Sequence, residues 1–375
     1  SLDNAFAAED VEEFAARGFA VTAFFVPSLK APEAAGWLRR QLLALGPDVI
    51  LNATAFSGKG ADGTSPLDAV NVPVFQCVLA TSTREAWEEA ERGLSPADLA
   101  MHVVLPEVDG AILGEVVSFK EIGQRDPDLQ FARAAHSPHA GQITTLANRV
   151  EARLALAATP ASDRRPALVL STYPGKDWNI GHAVGLDAPA SALAILSDLR
   201  AAGHDVGAGH ENLSEALLAG AQLWPVDAYL TAVETLPAPL REELFATWGA
   251  AETDALVSEG SFHFAALCCG KAIVALQPER GPQASREDDY HDVSRVPCHG
   301  YVAFYLWLRA QADALIHIGA HGTLEWLPGK SVALSGNCWP RALLGDLPVI
   351  YPFIVNDPGE AAQAKRRLGA ITLGH

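Results

Sequence analysis

Short apolar runs and longer stretches with a helical period alternate along the chain. The apolar runs predict strands at residues 19–26, 48–53, 72–79, 102–105 and 168–172. The stretches in which apolar side chains recur every three or four positions predict helices at residues 34–45, 83–92, 143–158 and 191–202. Strands separated by helices indicate βαβ units, so we expect an α/β fold of mainly parallel sheets with flanking helices in several domains.

Two polar stretches divide this pattern. Residues 159–166 are polar and flanked by proline, and residues 278–296 are dense in charge, glycine and proline. They predict three regions, namely a Rossmann- or flavodoxin-like α/β domain at 1–160, a second α/β domain at 161–277 and a further region at 278–375. The chain opens on a helical pattern and stops just after a strand-like run at residues 370–373, so we expect an internal piece of a longer protein.

The charge balance excludes several classes of partner. The 375 residues include 45 acidic and 27 basic side chains, which gives a net charge of −18. Such a chain is a poor partner for nucleic acid or for an anionic membrane surface. It has neither the run of roughly 18 apolar residues that a membrane span needs nor the pattern of a signal peptide. Its five cysteines form no C-x-x-C pair, which indicates free thiols in a reducing compartment, the cytoplasm.

Candidate chemistry is densest at residues 314–330. His317 lies near the end of an apolar run, and His321 and Glu325 follow in a stretch that glycines interrupt. These side chains are therefore predicted at the carboxyl end of a strand and in the loop after it, where open α/β sheets bind ligands. Imidazole and carboxylate groups are usual metal ligands and proton acceptors. His299, before an aromatic helical pattern, is a further candidate. The alternative is buried histidines and a glutamate near a helix start.

Two well-known motifs are excluded in this segment. No glutamate follows His317, so the histidines do not form the H-E-x-x-H motif of zinc proteases. The run that ends in Gly329-Lys330-Ser331 resembles a phosphate-binding loop, but Leu324 stands where that pattern needs glycine. Pro328 also removes a backbone N–H that a phosphate cradle would use. We therefore expect no ATP site on this chain.

A second group of polar side chains lies between residues 351 and 367. Glu360 follows an Asp-Pro pair and places an acid in the first turn of a predicted helix. Lys365, Arg366 and Arg367 come one or two turns later. These basic residues are either a solvated helix face or a site that captures carboxylates, which arginine binds through two hydrogen bonds.

Together these segments resemble a known family. Its motifs occur here as His-Ile-Gly-Ala-His-Gly-Thr-Leu-Glu-Trp-Leu-Pro-Gly-Lys at 317–330, Tyr-Pro-Phe-Ile-Val-Asn-Asp-Pro-Gly-Glu at 351–360 and Gln-Ala-Lys-Arg-Arg at 363–367. They resemble the large subunits of tetrapyrrole metal chelatases, the family that contains the large subunits of cobaltochelatase and magnesium chelatase. The resemblance covers most of the chain and is strongest from residue 168 to residue 375. The positions that match the family pattern are His299, His317, His321, Glu325, Asn356, Glu360 and residues 365–367.

The resemblance implies a ligase that forms nitrogen–metal bonds, with the tetrapyrrole and the metal bound by the large subunit. It implies two smaller ATPase-type partner subunits that hydrolyse ATP with Mg²⁺, which agrees with the missing phosphate loop. The implied proton acceptors are Glu325 and His321. The implied metal ligands are His317, His321, Glu325 and His299. The implied substrate-binding residues are Lys365, Arg366, Arg367, Asn356, Glu360 and Trp326. Trp326 and Trp339 are candidates to stack on the ring, with core packing as an equal alternative.

Within the family the motifs are more similar to the cobalt branch, because Trp326-Leu327 stands where magnesium enzymes more often carry Phe-Met. The resemblance thus implies insertion of Co²⁺, as substrate metal, into the corrinoid hydrogenobyrinic acid a,c-diamide. One alternative is insertion of Mg²⁺ into protoporphyrin IX. Another is a non-catalytic protein that binds or senses tetrapyrroles.

Overall fold

The computed structural model describes residues 5–171, 182–183, 186–209, 212–281, 292–319, 323–352 and 358–374. The chain forms two compact units. The first comprises Ser1–Glu151 and the later segment Lys330–Ala333, and the second comprises Ala152–Gly329 and Leu334–His375. Each unit combines helices with a sheet whose central strands run parallel, which confirms the predicted α/β class.

The first unit has a four-stranded sheet. Its strands are β1 Ile50–Asn52, β2 Val74–Ala80, β3 Ile112–Asp126 and β4 Phe131–Pro138. They lie in the order β1-β2-β3-β4, with the first three parallel and β4 antiparallel to β3. The helices are α1 Ala5–Ala16, α2 Pro32–Leu45, α3 Arg84–Glu89, α4 Pro96–Asp98, α5 Leu105–Val108 and α6 Ala140–Ala158, with a 3₁₀ turn at Pro66–Ala69 and a π-helical turn at Leu99–Val104. Helix α6 begins in the first unit and ends in the second.

The segment Lys330–Ala333 completes the core of the first unit. Val332 and Ala333 are buried among the side chains of β2, β3 and α3. The Trp87 indole N–H donates to the Ala333 carbonyl at 3.0 Å, and the Lys330 ammonium donates to two backbone carbonyls at the end of α3. Gly93, with φ of 86°, lies where a Cβ would collide with the Val332 carbonyl, so this position requires glycine.

The second unit is built on a six-stranded sheet in the order β11-β12-β5-β13-β14-β15. Its strands are β5 Pro166–Leu170, β11 Ala266–Cys269, β12 Ala272–Leu276, β13 Ala314–Ile318, β14 Val349–Pro352 and β15 Ile371–Leu373. All neighbours run parallel except β11 and β12. Two smaller sheets contain β6 His182–Ala183 with β7 Leu186–Asp187, and β8 Gln222–Pro225 with β9 Val257–Ser258 and β10 Ser261–Phe264.

Helices cover both faces of the six-stranded sheet. They are α7 Ala188–Ala201, α8 Leu213–Ala219, α9 Val226–Val233, α10 Ala238–Trp248, α11 His299–Gln311, α12 Trp339–Leu344 and α13 Pro358–Gln363, with 3₁₀ turns at Ala161–Asp163, Ala251–Thr253 and Leu324–Trp326 and a π-helical turn at Ala364–Leu368. Leu315 packs with α11 on one face, whereas Ile316 and Ile318 pack with α7 and α8 on the other. Strands β5, β12 and β13 are buried along their whole length, which explains their continuous apolar sequences.

Two predicted strands are wrong. Residues 19–26 have irregular backbone, and Phe24 and Val26 from this apolar run pack against the buried side of α2. Residues 102–105 belong to one helical stretch that runs from α4 through the π turn to α5. The apolar residues of this run lie on a helix whose buried face includes Val103. A run of only four apolar residues does not distinguish a buried helix from a strand. The predicted strands at 48–53, 72–79 and 168–172 and the four predicted helices are confirmed, with shifted ends.

The predicted boundary at residue 277 does not separate two compact units. Strand β12 precedes it and β13 follows it, and both pair with β5 in the same sheet. The ranges 161–277 and 278–375 therefore share one core, and the polar stretch after residue 277 connects β12 to α11. All five cysteines lie within the described residues, and none of them forms a disulfide. Among the described residues no helix has both the length and the apolar character to cross a membrane.

Candidate functional site

His317 lies near the carboxyl end of β13, the strand between β5 and β14. Its ring is fully buried, and burial lowers its pKa to about 4, so the imidazole is neutral at pH 7. Nε2 lies 3.1 Å from the hydroxyl of Ser171, which follows β5. Nδ1 has no hydrogen-bond partner among the described residues. When Nε2 carries the proton and donates to Ser171, Nδ1 presents a lone pair.

Glu325 lies in the 3₁₀ turn Leu324–Trp326 and is fully buried. The hydroxyl of Tyr351, in β14, donates to Glu325 Oε1 at 3.3 Å. The ring of Tyr351 also contacts the ring of His317 edge-on, with the centroids 5.4 Å apart. Tyr351 therefore touches both of these predicted functional side chains. A buried carboxylate and a buried neutral imidazole meet around one phenol at the carboxyl edge of the parallel strands, where such sheets bind ligands.

Tyrosine and glutamine side chains extend this polar cluster towards β12. Gln277, directly after β12, donates to the hydroxyl of Tyr301 at 3.0 Å and to that of Tyr305 at 2.6 Å. The Tyr301 hydroxyl is 2.7 Å from Thr323 Oγ1, at the start of the Glu325 turn. Burial raises the pKa of both phenols, so they stay protonated.

The turn that carries Glu325 is fixed by more than its own backbone. The Trp326 indole N–H donates to Glu360 in α13 at 2.7 Å, and Arg280 donates to the Trp326 carbonyl at 3.2 Å. Arg367, in the π-helical turn, donates to the carbonyl of Glu325 itself. These contacts come from separate elements, so the position of Glu325 depends on the folded second unit as a whole.

Arg367 lies inside the protein. Its side chain is 3% exposed, and burial lowers its pKa to about 10, an effect that electrostatic interactions with Cys338 and Glu325 partly offset. The guanidinium is therefore charged at pH 7 and lies close enough to Glu325 for the charges to interact. Lys365 and Arg366, predicted with Arg367 to bind substrate carboxylates, are only half-buried.

His299 makes its described contacts with groups other than those of His317 and Glu325. It begins α11, and its Nδ1 accepts from the Tyr229 hydroxyl at 2.7 Å when Nε2 donates to the Gly249 carbonyl at 3.0 Å. Its ring packs against Phe245 and Tyr229, and burial lowers its pKa. Because both ring nitrogens are engaged, His299 offers no lone pair to a metal in this arrangement, and its contacts are those of a core histidine.

The two tryptophans differ in their surroundings. Trp339 is fully buried, and its indole N–H donates to Glu243, so it belongs to the core and cannot stack on a ligand. Trp326 is half-buried and engages Glu360, another residue predicted to bind substrate. His321 and Asn356 lie outside the described residues. Within the described ranges no three His, Cys, Asp or Glu side chains are grouped closely enough to hold a metal ion.

Several side chains of this cluster are not among the residues predicted from the sequence. Ser171 and Gln277 each come directly after a buried parallel strand. That position is a signal for a functional residue, because the carboxyl ends of β5, β12 and β13 share one edge. Tyr301 and Tyr351 had no such signal, since aromatic residues in apolar runs are usually core residues.

The chain is similar to known metal chelatases over nearly its whole length. The family model described as CobN/Magnesium Chelatase matches residues 2–375. The chain is 41% identical over 399 residues to the aerobic cobaltochelatase subunit CobN of Pseudomonas aeruginosa, a match that covers 100% of this chain and 32% of that protein. It is 29% identical over 392 residues to a magnesium-chelatase subunit of Cereibacter sphaeroides, covering 97% of this chain and 33% of that protein.

A solved structure shows the same similarity in three dimensions. The catalytic subunit of cobaltochelatase from Mycobacterium tuberculosis matches with a TM-score of 0.84 and 32% identity, covering 100% of this chain and 33% of that one. The chain thus spans about a third of the length of the proteins that it matches.

Proposed function

Because this chain belongs to the CobN/magnesium chelatase family, we propose that it is part of the tetrapyrrole-binding catalytic large subunit of an ATP-dependent cobaltochelatase. The substrate metal is Co²⁺ and the substrate ring is hydrogenobyrinic acid a,c-diamide, so the reaction, a nitrogen–metal ligation, belongs to cobalamin biosynthesis. Two smaller ATPase-type subunits hydrolyse ATP with Mg²⁺. The complex works in the cytoplasm.

The observation that carries the proposal is the meeting of Glu325 and His317 around Tyr351 within a family match over residues 2–375. The choice of cobalt is supported by the 41% identity to a cobaltochelatase subunit, against 29% to a magnesium-chelatase subunit, with nearly equal coverage of this chain. The 29% identity to the magnesium-chelatase subunit supports a second candidate function, insertion of Mg²⁺ into protoporphyrin IX.

Metal insertion poses two chemical demands. Two N–H protons must leave the ring, and the ion must exchange its bound water for ring nitrogens. A carboxylate beside the ring accepts protons and attracts a divalent cation, which fits Glu325. A neutral imidazole with a lone pair binds borderline metals, which fits Nδ1 of His317. Burial of both groups removes competing water and strengthens their interaction with a cation.

His321 and the basic residues have complementary parts in the proposal. His321 acts with Glu325 as proton acceptor and with His317 as metal ligand. Arg366 and Lys365 bind acidic side chains of the corrinoid, for which half-buried cations are suited.

The test uses the complete large subunit with its ATPase subunits, Co²⁺ and the corrinoid, and follows the absorbance change on insertion. Glu325→Gln keeps the size of the side chain and one acceptor oxygen but removes the proton acceptor and the charge. The expected result is a loss of insertion rate of about 10²–10⁴-fold, with tetrapyrrole binding by fluorescence quenching nearly unchanged. The matched control is Glu242→Gln, an exposed glutamate on α10 that leaves the rate at the wild-type value.

Three outcomes would contradict parts of the proposal. Near-normal turnover of Glu325→Gln removes this residue from the chemistry. Activity with Mg²⁺ and protoporphyrin IX, and none with Co²⁺ and the corrinoid, replaces the cobalt assignment by the magnesium one. Tetrapyrrole binding without insertion of either metal by the assembled wild-type complex indicates a binding or sensing protein.

A further inference from the structure

One buried cation, Arg367, contacts Glu325 itself within the 3₁₀ turn, whereas Arg280 contacts the next residue, Trp326. Arg367 donates to the main-chain carbonyl of Glu325, and its guanidinium is near enough to the Glu325 carboxylate for their charges to interact. The two residues are 42 positions apart in the sequence and belong to different elements. The Arg367 guanidinium thus interacts with both the main-chain carbonyl and the side-chain carboxylate of Glu325, the proposed proton acceptor.

Burying a guanidinium is costly, because an ion that leaves water loses its hydration unless charges and hydrogen bonds replace it. Arg367 is 3% exposed, whereas its neighbour Arg366 is only half-buried. The π-helical turn Ala364–Leu368 is itself an uncommon backbone form that is frequent at functional sites. Because Arg367 is buried next to Glu325, its guanidinium can interact with Glu325 but is poorly accessible to a carboxylate of a substrate.

We propose that Arg367 is a positioning residue for Glu325, holding the 3₁₀ turn and its carboxylate in the geometry that metal insertion requires, and is not an anchor for the substrate. This inference rests on the proposed function. It assigns the capture of substrate carboxylates to Arg366 and Lys365, so that adjacent arginines on one turn have different tasks.

The two tasks predict different kinetics. A residue that orients the reacting group changes the rate of the bound complex, because a misplacement of roughly 1 Å can cost about 10²-fold in rate. Mutation of a residue that binds the substrate equally in the ground and transition states raises KM and leaves kcat unchanged. The neighbouring arginines therefore form a matched pair of test and control positions.

The experiment measures kcat, KM and tetrapyrrole affinity of the complete large subunit with its ATPase subunits, for Arg367→Ala, Arg367→Lys and Arg366→Ala. We expect Arg367→Ala to lower kcat by about 10²-fold with less than about threefold change in tetrapyrrole Kd. Arg367→Lys should recover part of the rate, since an ammonium can donate to the same carbonyl. Added guanidinium ion should raise the rate of Arg367→Ala and leave that of Arg366→Ala unchanged. Arg366→Ala should raise KM and Kd while keeping kcat.

A reversed pattern, with KM and Kd raised and kcat kept in Arg367→Ala, would overturn the inference. If Arg367→Ala does not fold, Arg367→Lys decides, because wild-type kcat with weakened binding also contradicts positioning. Failure of the proposed function looks different: the wild-type complex would then insert no metal, or Glu325→Gln would insert it normally. An active wild type and inactive Glu325→Gln, combined with a wild-type kcat in Arg367→Ala, would reject only the role of Arg367.

Discussion

The indole nitrogen of Trp326 donates a 2.7 Å hydrogen bond to a carboxylate oxygen of Glu360. Both residues are predicted from the sequence to bind substrate, and in the structure they also contact each other. The bond links the 3₁₀ turn that carries Glu325 to helix α13. Glu360 is 4% exposed, so its carboxylate depends on donors from the protein.

Trp326→Phe should therefore destabilise the chain by about 1–3 kcal/mol, because it removes a donor from a buried carboxylate while keeping most of the aromatic area. Urea unfolding followed by circular dichroism measures this loss. The control is Trp37→Phe on α2, where the ring is 39% exposed and a loss below about 0.5 kcal/mol is expected. Equal stability of the two variants would show that the bond to Glu360 contributes little.

Tyr351→Phe should lower the rate of metal insertion by about tenfold or more, since it removes the hydroxyl that orients Glu325 Oε1. Tyr229→Phe is a matched control, because that buried phenol also loses one hydrogen bond, to His299. Both variants should lose similar stability, about 1 kcal/mol, and the rate should fall only for Tyr351→Phe. A comparable rate loss in Tyr229→Phe would bring His299 back as a functional residue.

Stability should fall below pH 6.5. The ordinary pKa of histidine is 6.5, and burial lowers that of His317 to about 4. Between these values the unfolded chain binds a proton at this site that the folded chain excludes, so acid favours unfolding. The shift contributes about 3 kcal/mol to the free energy of unfolding. This contribution is fully present above pH 6.5 and is lost as the pH falls towards 4. Urea unfolding of the metal-free chain at pH 7 and pH 5 measures the part of this loss that falls between those values, about 2 kcal/mol.

His317→Gln separates this contribution from those of other histidines, because the variant lacks the titrating ring. His102, His136 and His299 also have pKa values lowered by burial and keep their part of the effect. The decline between pH 7 and pH 5 should be smaller in the variant. A decline as steep as in the wild type would show that His317 gains no proton on unfolding in this range.

Lys330 should be required for stability and not for nucleotide binding. Its ammonium donates to the carbonyls of Glu88 and Ala90 and lies 5.3 Å from the centre of the Trp87 ring. Lys330→Met should lower the thermal midpoint by several degrees, as expected for about 1–3 kcal/mol. The control Lys30→Met, at an exposed position, should leave it unchanged. Calorimetry of the wild-type chain with ATP and Mg²⁺ should show no tight binding.

Local patterns predicted the elements of the site better than its contacts. The apolar run before His317 is β13, and the aromatic helical pattern after His299 is α11. These elements depend on neighbouring residues, which a sequence window contains. The bond from Arg367 to Glu325 and the contact of Tyr351 with His317 join residues far apart in the chain, and no periodicity encodes them.

Contacts between distant residues also explain why the sequence alone does not distinguish His299 from His317. His299 and His317 look alike in sequence, as single imidazoles beside apolar runs. What separates them is the set of partners: both nitrogens of His299 are engaged, whereas one nitrogen of His317 has no partner among the described residues. The partners of His299 come from α9 and from the residue after α10, and the partner of His317 comes from the residue after β5. Their positions depend on the folding of the second unit as a whole.

The segment Lys330–Ala333 also limits how early during synthesis the first unit can complete its folding. The ribosome completes residues 5–151 long before it reaches Val332 and Ala333, which fill the core of the first unit. Until then Trp87 has no Ala333 carbonyl to bind, and its apolar neighbours lack a cover. The first unit therefore reaches its final state only after most of the second has been translated. A nascent chain stalled at residue 151 leaves apolar side chains of this core uncovered, as in the partly folded species that tend to aggregate. A gene divided there produces a first polypeptide without Lys330–Ala333, whereas the second polypeptide holds every residue of its own unit.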